Sequence, residues 1–310
     1  AMFYTVFVTE EYYPPRYETK QVLRLIDTAL EQIELNRATI ELARNATEIE
    51  RITARGKMAA VLDIEGGWDL DGDLGVLRNL YRLGVRVAML PAHNWTNNFA
   101  DSCCAPPKWN GLNARGRAVM AEMNRLGMLI NVSHASDVTI EQAIDASKDP
   151  IVATHHGLRS FNNIPRNLPD ALAKKLAAKG GVIGFQIGNE FHNVRVYEYR
   201  KKATGKTFWD RSAIGKKEGR LSIEQIDRIV APQFPMMGCD APDDIKLTPD
   251  GWVQVVERAI ALVGEDHVAL GTDIDGGPTL PRGMSDIRDL PLITDAMVRR
   301  GWPETRIKKF

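Results

Sequence analysis

The sequence predicts a parallel α/β fold, and within that class a (β/α)8 TIM barrel. Three observations carry the prediction. Short apolar runs alternate with longer amphipathic runs along the whole chain. The short runs are nearly continuous in apolar residues, as expected of strands covered on both faces. Histidines and carboxylates recur where these runs end, and in a barrel the C-terminal strand ends ring a single mouth.

The expected strands are residues 3–8, 58–64, 85–90, 128–133, 151–154, 181–187 and 268–272. Between them, apolar residues recur at helical spacing in "TKQVLRLIDTALEQIELNRATIELA", "LGVLRNLYRLG", "LNARGRAVMAEMNRLG", "DVTIEQAIDAS", "DALAKKLAAKG" and "PDGWVQVVERAIALVG". Several of these runs end in Gly, a common helix stop. Ser136 and Asp137 are candidate N-caps. This makes seven strands, one short of a closed barrel, and an open doubly wound sheet tolerates seven. The strand ends favour the barrel. Glu65, His93, His134, His155 and Asp273 each stand at one. In an open sheet the ends form a row, so five such residues would not converge.

Two stretches read as long loops on that mouth, "TEEYYPPRYE" and residues 189–220. Each is read as a lid or as a solvated insertion. No linker splits the chain, so residues 1–310 read as a single barrel domain. The chain opens inside a strand and stops inside a helical pattern, so the domain is expected to be cut at both ends. Compartment is left open, with cytoplasm and periplasm both compatible.

Forty basic and forty acidic side chains cancel. With no basic tail, nucleic acid and anionic membrane are not expected partners. No apolar run is long enough for a transmembrane helix. Cys103, Cys104 and Cys239 contain no C-x-x-C pair, and adjacent cysteines rarely bond to each other. They are expected as unpaired, buried or half-buried thiols. His192 and His267 read as structural or surface groups. Trp95 and Trp109 read as core or as lining of the mouth.

One carboxylate and two imidazoles at converging strand ends match the ligand chemistry of zinc or a similar divalent ion. Glu65 in "VLDIEGGWD", His134 in "INVSHASD" and one of His155 and His156 in "ATHHGL" supply that set. Asp273 in "ALGTDIDGG" adds an acid that could ligate or accept a proton from water.

The ordered set "DIEGG", "NVSH", "THH" with "RNLPD", and "GTDIDG" resembles the membrane dipeptidase family, peptidase family M19, among the amidohydrolase-type metal-dependent barrels. The resemblance covers nearly the whole chain. It implies a dipeptidase with two zinc ions, Glu65 bridging them, and His134 and His155 on the second. It implies that Asp273 handles the proton of the attacking water. His93 would polarise the scissile carbonyl, and Arg166 would hold the substrate's terminal carboxylate through its planar fork. Tolerance of a D-residue at the C-terminal position follows, and a homodimer is a common assembly of such proteins.

Three departures stand out. Asn131 replaces the Asp of the usual "DVSH", and His156 stands where Ser is frequent. The H-x-D pair of the family's first strand occurs nowhere in the sequence. Two zinc ions are therefore expected if a preceding strand supplies the pair, and one otherwise. The rival readings are a hydrolase of another amide or a lactone, and a metal-poor, non-catalytic relative.

Overall fold

The computed structural model describes residues 1–8, 17–66, 73–91, 93–204 and 241–310. The chain divides into two compact units, the first built on Ala1–Asp149 and the second beginning at Pro150.

In the first unit β1 (Met2–Val8) leads to α1 (Tyr17–Leu35), β2 (Ile40–Leu42), α2 (Ala46–Thr53) and β3 (Met58–Gly66). There follow α3 (Leu74–Leu83), β4 (Val85–Met89), α4 (Ala114–Leu126), β5 (Leu129–Asn131) and α5 (Asp137–Ala146). β1 pairs with β3, β3 with β4 and β4 with β5, all parallel. β3 is buried along its length after Met58, which is why its sequence shows no alternation. Leu62 and Ile64 are sealed from solvent. Truncating such a side chain to Ala costs about 2–5 kcal/mol.

One expected helix is two elements. The helical run over residues 19–43 stops at Leu35, and Ile40–Leu42 joins the edge of β3 as a short parallel strand. Local hydrogen bonds end the helix: Asn36 Nδ2 donates to Gln32 O at 2.8 Å, and Thr39 Oγ1 donates to Asn36 O at 3.2 Å. Backbone pairing with β3 then decides a stretch whose apolar spacing suits either state. The described residues thus hold eight strands where seven were expected.

The helix starts are set by side-chain caps. Asn45, Asp73, Asn113 and Ser136 each accept a backbone N–H of the first turn. Each such cap contributes about 1 kcal/mol. Gly84 and Gly127 close α3 and α4 in the left-handed conformation.

In the second unit β6 (Val152–His156), α6 (Asp170–Ala178) and β7 (Val182–Gln186) precede α7 (Asn189–His192) and α8 (Val194–Thr204). Then come α9 (Pro249–Val263), β8 (Val268–Gly271), α10 (Pro291–Arg299) and α11 (Glu304–Lys309). β7 lies between β6 and β8, again parallel. Trp252 of α9 is fully buried, and its indole N–H donates to Gln186 O at 3.0 Å.

The expected long loop from residue 189 is helical as far as Thr204. Buried hydrogen bonds hold its start. Asn189 Nδ2 donates to Thr279 O, and Glu190 pairs with Arg200. The lid-or-insertion question falls on residues 205–220, which lie outside the described residues, as do residues 9–16 of the other stretch. Among the described residues no helix is long and apolar enough to cross a membrane.

Candidate metal centre

Glu65 is the penultimate residue of β3, and Phe7 of β1 is its register partner. Gly66 follows with φ +68, and a Cβ there would lie 2.6 Å from Val8 O. Only glycine turns the chain so close to β1. His93 follows β4, and its ring packs against Phe7, Trp95 and His134, with centroids 4.9, 5.6 and 4.0 Å away. His134 lies three residues past β5.

These three side chains form one cluster. Glu65 Oε1 is 3.2 Å from His134 Nε2 and 3.6 Å from His93 Nε2. All three residues are buried, at 8%, 8% and 5% exposure for Glu65, His93 and His134, so the carboxylate sits largely out of water. A buried carboxylate costs several kcal/mol unless positive charge compensates it. The Nδ1 of His134 faces Asn94 Oδ1 at 2.7 Å. An amide oxygen only accepts, so Nδ1 carries a proton, and in the neutral imidazole Nε2 then offers its lone pair toward Glu65.

A separation of 3.2 Å between Glu65 Oε1 and His134 Nε2 suits either a proton on Nε2 or a metal ion held by both atoms. Ligand atoms about 2.1 Å from a tetrahedral ion stand roughly 3.4 Å from one another. The observed 3.2 Å between Glu65 Oε1 and His134 Nε2 lies close to that value. The donor set therefore fits a divalent metal such as zinc.

Backbone conformation marks the same residues. Among the described residues, four non-glycines have positive φ: His93 at 56°, Asn110 at 54°, His134 at 62° and Asp273 at 50°. Three of them are residues singled out from the sequence as catalytic or ligating. Such conformations cost about 1–3 kcal/mol each and persist where surrounding contacts impose them.

Those contacts are visible. Asn131 Oδ1 accepts the N–H of Ser133 at 2.9 Å and braces the turn that carries His134. The Asn found in place of the family's Asp thus still supplies an acceptor. Asp101 is fully buried, and its carboxylate accepts the N–H groups of Lys108, Trp109 and Gly111. Trp109 donates its indole N–H to Asn97 O at 2.9 Å.

The cysteines depart from expectation. Cys103 and Cys104 are joined by a disulfide. Adjacent residues seldom bond this way in an unconstrained chain. Here Asp101 and Ser102 hold the loop on its N-terminal side, and tertiary contacts decide what local geometry disfavours. Cys239 lies outside the described residues.

The second unit carries the other expected site residues. His155 ends β6 with His156, and both are buried. Thr154 Oγ1 lies 2.9 Å from His155 Nδ1, and Arg166 Nη2 donates to His155 O at 2.8 Å. Asp273 follows β8, and its Oδ2 accepts from Gln186 Nε2 at 2.9 Å. A Cβ at Gly276 would stand 2.3 Å from Asp273 Oδ1, so glycine there leaves the carboxylate its place.

His192 and His267 are structural. Burial drives His192 down to about 4, and its Nε2–H donates to Gln186 O. His267 Nδ1 bonds Gly181 O at 2.9 Å. Sequence reasoning missed Asn94, Ser102 and Gln186, which hold the site residues through hydrogen bonds. Asn94 directly follows His93 and Gln186 ends an expected strand, the only signals available for them.

A family model described as membrane dipeptidase (peptidase family M19) matches residues 1–310. Dipeptidase verJ of Clonostachys rogersoniana is 28% identical over 305 residues, covering 98% of this chain and 65% of that protein. Dipeptidase 3 of Rattus norvegicus is 25% identical, covering 96% and 52%. The chain thus spans about half to two thirds of the length of these curated relatives.

Among solved structures, the probable dipeptidase PvdM from Pseudomonas aeruginosa aligns with a TM-score of 0.74 at 20% identity, over 94% of this chain and 76% of its own. A metallo peptidase from Rhodobacter sphaeroides, liganded with a phosphinate mimic of the dipeptide L-Ala-D-Ala, aligns at 0.73 and 21%, over 99% and 82%. At such identities the likeness establishes fold alone, a mixed α/β architecture built on parallel strands. By the match along its whole length, the chain belongs to the membrane dipeptidase family, peptidase family M19.

Proposed function

We propose that this chain carries the active centre of a zinc-dependent dipeptidase that accepts a D-residue at the C-terminal position of its substrate. One observation carries the reading: in a chain matched end to end by the family, Glu65 Oε1 lies 3.2 Å from His134 Nε2 and 3.6 Å from His93 Nε2. Glu65 and His134 are the metal-holding pair, and His93 is the imidazole beside them. When bound, the metal supplies Lewis acidity and brings water toward a pKa of about 7.

The remaining roles belong to side chains. His93 faces the developing oxyanion. Asp273 receives a proton at Oδ1 while Gln186 holds Oδ2. Arg166 binds the substrate's terminal carboxylate, and His155 serves as a further metal ligand. These roles follow the family motif.

The test is metal content together with hydrolysis of alanyl dipeptides ending in L- or D-alanine. The expected result is one or two zinc ions per chain, lost in Glu65→Gln and His134→Ala, with both dipeptides cleaved. Arg166→Ala should raise KM for dipeptides far more than for a neutral ester. A protein that takes up no zinc refutes the reading. A zinc-loaded protein that cleaves lactones but no dipeptide keeps the metal and replaces the substrate.

A further inference from the structure

The loop that follows Asp101 grips both histidines of the metal centre. Ser102 Oγ lies 2.9 Å from His93 O and 3.0 Å from His134 O, so one hydroxyl spans the two carbonyls. The Cys103 N–H donates to His134 O at 2.7 Å. Ser102 also forms a β-bridge with Ala135. The residues so held are the two histidines at φ 56° and 62°, conformations that need outside support. The grip is closed by the Cys103–Cys104 disulfide, which ties the two side chains into a small ring around their shared peptide. Both cysteines are half-buried, while Ser102 is 2% exposed. The pair is thus partly exposed, whereas the contacts beside it are sealed.

We propose that the Cys103–Cys104 pair is a redox modification site whose oxidation state sets how firmly His93 and His134 are held, and so how tightly the centre binds its metal. The proposal rests on the metal reading of Glu65 and His134, with His93 beside them. A dithiol reductant drives the step. One of its sulfurs attacks a cysteine sulfur, the S–S bond breaks, and a mixed disulfide forms. Its second sulfur then displaces that cysteine. Two electrons and two protons pass to the protein, Cys103 and Cys104 become thiols, and the reductant leaves as a disulfide. Opening the ring returns torsional freedom to both residues, which opposes the order that the Cys103 and Ser102 contacts require. Partners that orient a metal-ligating histidine are worth about 10–100-fold in metal affinity, which sets the scale expected here.

The experiment uses the full chain carrying Cys239→Ser, so that one pair of thiols is in play. Peptide mapping without reductant should find Cys103 bonded to Cys104. Hydrogen exchange and zinc affinity, by competition with a chromophoric chelator, are then compared before and after reduction with a phosphine that is removed. Reduction should speed exchange at residues 102–104 and 134–135 about tenfold or more. It should weaken zinc about 10–100-fold. Cys103→Ala with Cys104→Ala should match the reduced protein and ignore reductant. Ser102→Ala keeps the ring and should weaken zinc in both redox states.

Free thiols in the air-oxidised protein overturn the proposal. So do exchange rates and zinc affinities unchanged by reduction, an outcome that leaves the metal reading standing. Faster exchange on reduction with no zinc bound in either state keeps the grip and refutes the metal reading instead.

Discussion

Replacing Asn94 tests how the metal centre is built. Asn94 Oδ1 accepts the Nδ1–H of His134 at 2.7 Å, both residues being about 5% exposed. That bond keeps a proton on Nδ1, so the neutral imidazole has its lone pair on Nε2, 3.2 Å from Glu65. Leu keeps the branched outline of Asn, though it is bulkier, and has no acceptor. In Asn94→Leu the imidazole can move its proton to Nε2 and donate it to Glu65, an arrangement that keeps the metal-free protein stable but must be undone for an ion to bind. Losing a buried acceptor is worth about 1–3 kcal/mol. At about 1.4 kcal/mol per decade, zinc affinity should fall roughly 5–150-fold. Asn94→Asp retains an oxygen at that position and should hold zinc at least as well as the native residue. The assay is zinc competition against a chelator, with urea unfolding of the metal-free proteins alongside. Affinities of Asn94→Leu and native protein within about twofold of each other would refute the tautomer argument, because a difference of about 0.4 kcal/mol is too small for a lost buried hydrogen bond.

Three further outcomes are expected. Gly276→Ala should lower kcat toward that of Asp273→Asn with zinc content unchanged, since its Cβ would stand 2.3 Å from Asp273 Oδ1. General acid–base groups contribute about 10²–10⁴-fold, and a kcat for Gly276→Ala equal to native removes Asp273 from the proton path. Asp101→Ala leaves the N–H groups of Lys108, Trp109 and Gly111 without their carboxylate acceptor. It should cost more than about 3 kcal/mol in urea unfolding, and a loss under about 1 kcal/mol would contradict the hub role. His192 supplies a pH signature. Its native pKa is about 4 against 6.5 in the unfolded chain, so the unfolded state takes the proton first as pH falls. Stability from this group is complete above pH 6.5 and is lost down to about pH 4, roughly 3 kcal/mol in all. The difference in unfolding free energy between native protein and His192→Gln should therefore shrink across that interval. A pH-independent difference would show that His192 titrates alike in both states.

Much of the fold was legible because parallel strands covered on both faces are written as unbroken apolar runs, and each expected run overlaps an observed strand. The β2 segment escaped notice because Ile40 and Leu42 continue the apolar spacing of α1, and only their pairing with Met58–Ala60 makes them a strand. Residues 189–204 read as loop from their polarity, yet buried bonds through Asn189 and Glu190 make them helical.

What the sequence by itself determined is chemistry in order along the chain: parallel β/α units, their caps, and a carboxylate and imidazoles placed at strand ends. Pattern carries that information because burial and helix capping act on neighbours. Tertiary structure decided the rest. Which imidazoles stand beside Glu65, which nitrogen of His134 offers its lone pair, and why His93, His134 and Asp273 adopt left-handed backbones all depend on partners distant in sequence. So does the Cys103–Cys104 bond, which local geometry disfavours and a loop anchored by Asp101 and Ser102 brings about. Hydrogen bonds and metal-ligand distances are set in space to a few tenths of an ångström, and no spacing in the sequence encodes that.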